Sequence, residues 1–189
     1  MASVNTNYGA MVALQQLNQT NSALETTQSR INTGLKVSSA KDNGAVFAIA
    51  QGMRSDVAGY GVVKDSLDRA ISTTDVAIAA GESISDLLID MKEKALAASD
   101  ESLTTSQRAA YDEDFQALRD QIGTIVSNAE FNGTNLINNS TTGIEALADA
   151  DGTSAITVQD ENLSLSGSIV TLTSTATIST ATSASAAVS

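Results

Sequence analysis

The chain has 189 residues, a formal charge of −12 at pH 7, 42% apolar residues, only 3% aromatics, and no Cys, His, Pro or Trp. Without His or Cys there is no imidazole base, no zinc site of the usual kind, no disulfide and no thiolate chemistry. The negative charge opposes nucleic acid and anionic membranes, which are bound through clustered Lys and Arg. No run of about 18 apolar residues is present, so no membrane insertion is expected. Residues 1–16 lack the basic and apolar regions of a cleavable secretory signal. Phosphate-loop and dinucleotide fingerprints are missing too. Asp112, Glu113 and Asp114 occupy consecutive helical positions, so they should fan out into solvent rather than converge. No catalytic or metal site can be assembled from these residues, and neither an enzyme nor a cofactor is expected.

The first helical pattern covers residues 5–33. Ala10, Leu14, Leu17, Asn21, Leu24, Gln28 and Ile31 recur at four- and three-residue spacing. The remaining positions are mostly Gln, Asn, Thr and Ser, too little apolar area for a helix that stands alone. This helix is expected to be disordered in the monomer and ordered by partners. Periodicity breaks between Gly34 and Asn43. Gly34 suits a helix C-terminal cap, and Asp42 or Asn43 suits the start of the next helix.

The longest pattern runs from residue 46 to residue 98. One seam is Val46, Met53, Tyr60, Leu67, Thr74, Gly81, Leu88 and Ala95; the second is Ile49, Asp56, Val63, Ala70, Ala77, Ile84, Met91 and Ala98. Only Asp56, Thr74 and Gly81 interrupt a seven-residue apolar repeat, the mark of a long helix with a narrow buried face. At ~1.5 Å per residue it would reach roughly 80 Å. Gly59 and Gly61 lie inside it and mark either close packing or a bend. A third helix is predicted over 104–129. Thr104 with Gln107 forms a capping-box signature, and Tyr111, Phe115, Leu118, Ile122, Ile125 and Ala129 follow without a gap. The short connection makes the two helices antiparallel neighbours, with Tyr111 and Phe115 against the Leu88 to Ala98 end.

Asn132-Gly133 signals a tight turn. Residues 144–147 read as a short helical turn. Residues 155–158, 163–165 and 169–172 alternate with period two and predict a small antiparallel β region. Residues 173–189 are almost entirely Ser, Thr and Ala, and composition predicts poor order. The fold class is therefore mainly α: an elongated long-helix bundle or coiled coil with a small β-hairpin region near the C-terminal end.

The run from Ser29 to Ala45, with Arg30, Ile31, Asn32, Thr33, Gly34, Leu35, Lys36, Val37, Ser38, Ser39, Ala40, Lys41, Asp42, Asn43 and Gly44 between them, resembles the hallmark segment of bacterial flagellin. The polar N-terminal helix and the segment Phe131-Asn132-Gly133-Thr134-Asn135-Leu136 resemble the same family. The likeness covers residues 1 to about 140.

The resemblance implies a structural subunit that polymerises into the flagellar filament for swimming motility. Residues 1–33 would be the inner-core helix, with Leu14, Leu17, Leu24 and Ile31 at subunit interfaces. Residues 34–44 would be the spoke connector, with Arg30, Asn32, Gly34, Lys36, Ala40, Lys41 and Asp42 as the marked positions around it. Residues 45–140 would be the outer core, packed through Leu67, Leu88, Met91, Tyr111, Phe115, Leu118, Ile122 and Ile125. Residues 141–189 would be the variable region, where Thr171, Thr173, Ser174, Thr175 and Thr177 are O-glycosylation candidates. Partners implied are further copies of the chain or other flagellins, the flagellar type III export apparatus, and hook-associated and cap proteins, with the product secreted to the extracellular filament.

The family's innate-immune receptor contacts the helix where Ile89, Asp90, Glu93 and Lys94 stand. Asp90 and Lys94 replace an Arg and a Leu of receptor-activating members, which implies weak or no activation. Family members also end in a C-terminal helix that completes both tubes, so further residues are expected beyond the Ser/Thr/Ala-rich segment. A chain ending at Ser189 would not be expected to polymerise normally. The alternatives are a hook–filament junction protein or a soluble helical binding module, the latter predicting a folded monomer with residues 5–33 protected from protease.

Overall fold

The computed structural model describes residues 7–188. The chain divides after Ala58 into two compact units.

In the first unit, α1 (Tyr8–Thr33) starts where Asn7 Oδ1 accepts the Ala10 N–H at 3.2 Å. The predicted start at residue 5 lies outside the described residues. The helix ends at Gly34, whose φ of 67° is the left-handed conformation a C-terminal cap requires. No α1 residue is buried. The hydroxyls of Thr20, Thr26, Thr27 and Thr33 each donate to the carbonyl four residues back. α2 (Ala40–Ala98) is interrupted at Asn43, whose extended backbone (φ −165°, ψ 104°) separates one turn from the long helix proper. Of the two candidate caps, Asn43 takes the role and Asp42 does not. Asn43 Oδ1 accepts the Val46 N–H and starts the long helix. Asp42 faces the other way and gathers the donors of Ser38 and Ser39.

In the second unit, α2 continues to Ala98 and α3 (Thr105–Asn128) packs on it. The capping box forms as expected: Thr104 Oγ1 accepts the Gln107 N–H, and Gln107 Oε1 accepts the Thr104 N–H. Arg108 donates from Nε to the Ala98 carbonyl and from Nη2 to that of Asp100, satisfying the exposed C-terminal end of α2 from α3. The core joins Ile84, Met91, Ala95 and Ala98 of α2 to Phe115, Ile122 and Val126 of α3. Ala95 and Ala98 are wholly buried, so small side chains bring the helices close at this end. Tyr111 and Leu88 pack at the edge of the same cluster. The seam break at Gly81 is filled from within the chain, with Leu163 Cδ1 at 3.7 Å from where a Cβ would stand.

β1 (Glu130–Phe131) and β2 (Thr134–Asn135) form a hairpin closed by Asn132 and Gly133, at φ 51° and 81°. Both turn residues need positive φ, which is why Asn-Gly serves here. Buried Asn135 donates to the Val126 carbonyl and accepts from the Ile137 N–H, tying the hairpin to the end of α3.

Three sequence expectations are corrected. Residues 144–147 are not a helical turn but β3 (Ile144–Leu147), paired antiparallel with β4 (Ala155–Val158). Four residues cannot sustain a helix, and here Ala146 is buried, Glu145 is exposed and the Leu147 N–H reaches Ser66 Oγ of α2. Residues 163–165 and 169–172 are not strands. Val170 is buried, and Leu163, Leu165 and Leu172 lie against the core. Single backbone bonds such as Leu163 N–H to the Ile137 carbonyl replace a ladder. Residues 173–188 are ordered: Ile178 and Ala184 are wholly buried, and α4 (Ala181–Val188) forms behind a Thr180–Ser183 cap. Composition missed this because the anchors come from α3.

Gly59 and Gly61 of α2 play different parts. A Cβ on Gly59 would stand 2.7 Å from Ala150 Cβ and 2.9 Å from its carbonyl oxygen, whereas one on Gly61 meets nothing within 4 Å. Gly61→Ala is therefore expected to stabilise the fold by about 1 kcal/mol through helix propensity. Gly59→Ala is expected to destabilise it by about 1 kcal/mol or more, because the β3–β4 loop must move. Urea unfolding followed by circular dichroism checks both; equal shifts in one direction would refute the close approach.

Candidate assembly surfaces

No described helix is long and apolar enough to cross a membrane. Among the described residues no group of three or more His, Cys, Asp or Glu could hold a metal ion. The residues singled out from sequence fall on surfaces and on the core rather than in a pocket with chemistry.

Apolar surface is left uncovered on both long helices. On α1, Leu14, Leu17, Leu24 and Ile31 are exposed by 56–74%. On early α2 the first part of each seam, Val46, Ile49, Met53 and Tyr60, is likewise exposed. From Val63 onward the second seam turns inward, and Val63, Ala70, Ile84, Met91 and Ala98 are buried.

A further stripe escaped the sequence reading. Ile71, Ile78, Ile89 and Leu96 are all more than half exposed. Their spacing of seven, eleven and seven residues places them on one face, roughly 120–160° around the helix from the buried Ile84 and Met91. A search for a second apolar periodicity beside the first seam would have found it. Beside Ile71 an apolar recess of about 270 Å³ opens between α2 and the hairpin, walled by Leu67, Ala70, Ala146, Ile156 and Val158.

Of the outer-core positions named from sequence, Met91, Phe115 and Ile122 are buried. Leu88, Tyr111, Leu118 and Ile125 are partly buried against them, and Leu67 lines the recess.

The connector is held by one carboxylate. Asp42 Oδ2 accepts from the Ser38 N–H at 3.0 Å, the Ser38 hydroxyl at 3.1 Å and the Ser39 N–H at 3.2 Å. Arg30 stands in the last turn of α1, Asn32 just ahead of Gly34, and Lys36, Ala40 and Lys41 are exposed. The Ser38 backbone and hydroxyl bonds, aided by Ser39 and the charge of Arg30, hold the Asp42 carboxyl below its ordinary value of 3.8.

In the 89–95 region Ile89, Asp90 and Glu93 are exposed. Lys94 Nζ meets Asp114 Oδ2 at 2.9 Å and lies 6.0 Å from the Tyr111 ring centre; the hydrogen bond to Asp114 raises the lysine above its usual 10.5. Thr171, Thr173, Ser174, Thr175 and Thr177 are all exposed. The acidic run is not merely a solvated face: Asp114 pairs with Lys94, and Asp112 Oδ1 accepts the Ile178 N–H at 2.6 Å. Arg119, which no sequence pattern marked, is almost buried and binds the Ala176 carbonyl.

The described helices are long, and apolar stripes on α1 and on part of α2 are left uncovered within the chain. The chain belongs to the family of the bacterial flagellin N-terminal helical region, whose model matches residues 4–142. The chain is 55% identical over 165 residues to flagellin FljK of Caulobacter vibrioides, covering 87% of this chain and 60% of that protein. Against flagellin FljM of the same organism it is 53% identical, with the same coverage. It is 36% identical over 148 residues to a flagellin of Brucella melitensis, covering 78% of this chain and 52% of that protein. It thus spans only about three fifths, or less, of the length of these relatives.

The Asp42 clasp sets a pH dependence. Because its folded pKa is depressed, its contribution is present above the unfolded value and is lost as pH falls through the lower folded value. Protection of the Ser38 and Ser39 amides in hydrogen exchange is expected to hold at pH 5–7 and to fall below about pH 4. In Asp42→Ala it should be low at every pH; protection unchanged by that substitution would contradict the clasp.

Proposed function

We propose that the chain is the N-terminal and outer part of a flagellin, a structural subunit that self-assembles helically into the flagellar filament and transmits torque for swimming. The observation that carries this is the uncovered apolar stripe of α1, in a chain of this family. Residues 1–33 then form the inner core, meeting neighbouring subunits through Leu14, Leu17, Leu24 and Ile31. Residues 34–44 are the spoke, in which Gly34 turns the chain and the Asp42 clasp fixes it. Residues 45–140 are the outer core, and residues 141–189 the variable outer region. The exposed stripe at Ile71, Ile78, Ile89 and Leu96 supports further helix contacts there, either with neighbouring subunits or with the additional length that relatives possess.

On this reading the protein is not an enzyme. It leaves the cell through the flagellar export apparatus and meets hook-associated and cap proteins at the ends of the filament. The abundance of exposed apolar helix favours a many-copy polymer over a junction protein. Activation of the innate-immune receptor is weak or absent, since Asp90 reverses a charge and Lys94 is engaged with Asp114. The exposed hydroxyls of Thr171, Thr173, Ser174, Thr175 and Thr177 are the O-glycosylation candidates, which the intact mass of native filaments would count.

Leu17→Asp and Leu24→Asp, made in the protein as the cell expresses it, test the assembly role. The expected result is loss of filaments in electron micrographs with the α2–α3 core still folded; normal filaments from both variants would overturn the reading.

A further inference from the structure

Residues 173–188 contain few large side chains, yet they hold one conformation on the second unit. The bonds that hold them act on backbone atoms. Asp112 Oδ1 accepts the Ile178 N–H, and Arg119 Nη1 donates to the Ala176 carbonyl at 2.8 Å. The two side chains are seven residues apart, so they project from one face of α3 two turns apart. Each is braced: Gln116 Nε2 donates to Asp112 Oδ2, and Arg119 Nε and Nη2 both donate to Asp120 Oδ1. Arg119 keeps only 9% exposure, and its guanidinium is shared between Asp120 and a backbone carbonyl of a distant segment. Ile178, whose own N–H makes the first of these bonds, to Asp112, is wholly buried.

A groove of about 530 Å³, open to solvent, lies beside this segment, lined among others by Leu88, Ile169, Leu172 and Ala187. Apart from Ile178 the segment buries mainly alanine side chains, and few large buried apolar contacts are the mark of a segment that opens locally below the global free energy.

We propose that Asp112 and Arg119 form a latch that docks residues 173–188 as a strap on α3, and that the strap opens separately from the α2–α3 pair, uncovering Met91 and Phe115. Because the latch reads backbone atoms, residues 173–175 and Thr177 carry no sequence requirement and keep their hydroxyls outward. The device is independent of filament assembly: it predicts a behaviour of the isolated chain.

Hydrogen exchange on the full chain tests it. Arg119→Ala and Asp112→Ala are expected to raise exchange of the Ile178 amide and of α4 at least tenfold, with the amides of α3 and of late α2 unchanged. Arg119→Lys and Asp112→Asn, which retain a donor and an acceptor, should recover part of the protection. Exchange rising equally in the strap and in α3, or not rising in the strap, overturns the latch. Should the alanine variants fail to fold, exchange of the unsubstituted chain in mild urea decides. Strap amides opening at lower urea than α3 amides support separate opening, and a shared urea dependence overturns it.

Discussion

The apolar face of α2 is buried from Val63 to Ala98 and uncovered from Val46 to Tyr60, although one seven-residue repeat runs through both stretches. An apolar side chain gains roughly 1.5–3 kcal/mol on full burial. Apolar positions repeated beyond the reach of the chain's own core leave that gain unrealised within it. Everything else in the chain is arranged around that division. Where α3, the hairpins and the strap supply cover, the helix face is filled by Ile84, Met91, Ala95 and Ala98. Where they stop, the same spacing continues unpaired, and α1 repeats the condition with no buried residue at all.

The polar side chains fit the same constraint. Four Thr hydroxyls of α1 are already bonded to the helix's own carbonyls. Covering that helix by another protein therefore leaves no unmet hydroxyl donor at those positions, which removes a desolvation cost that exposed hydroxyls would carry. The connector is shaped by local chemistry alone: a left-handed Gly34, an extended Asn43 and a carboxylate that gathers three donors. An α2 covered along its later part, an uncovered α1 and a locally bonded connector fit the subunit proposed above.

Much of this was legible in the sequence because the signals are local. Thr104 with Gln107, Gly34, and Asn132 with Gly133 each specify a backbone conformation through residues within three positions, and each forms as read. The long helix was legible because its repeat is sustained. What escaped depends on partners far along the chain. β3 is a strand because β4 pairs with it and Ser66 receives its end. Residues 173–188 are ordered because Asp112 and Arg119 reach them across 66 and 57 residues. Composition sees the shortage of apolar groups there and cannot see two charged side chains on another helix. The outward stripe of α2 was missed for a different reason: a seven-residue seam had already accounted for the helix, and the second face repeats at seven and eleven.

These 189 residues contain no cysteine, so a single cysteine placed among them is the one thiol of this part of the protein. Leu24→Cys on α1 and Ile49→Cys on early α2 should both react readily with a maleimide in the dissociated protein, where these positions are exposed. In assembled filaments both are expected to be protected by at least tenfold in rate, while a cysteine placed at Ser174 on the strap stays reactive in both states. Equal reactivity of Leu24→Cys and Ile49→Cys before and after assembly would contradict the claim that other subunits cover the unpaired faces of these helices.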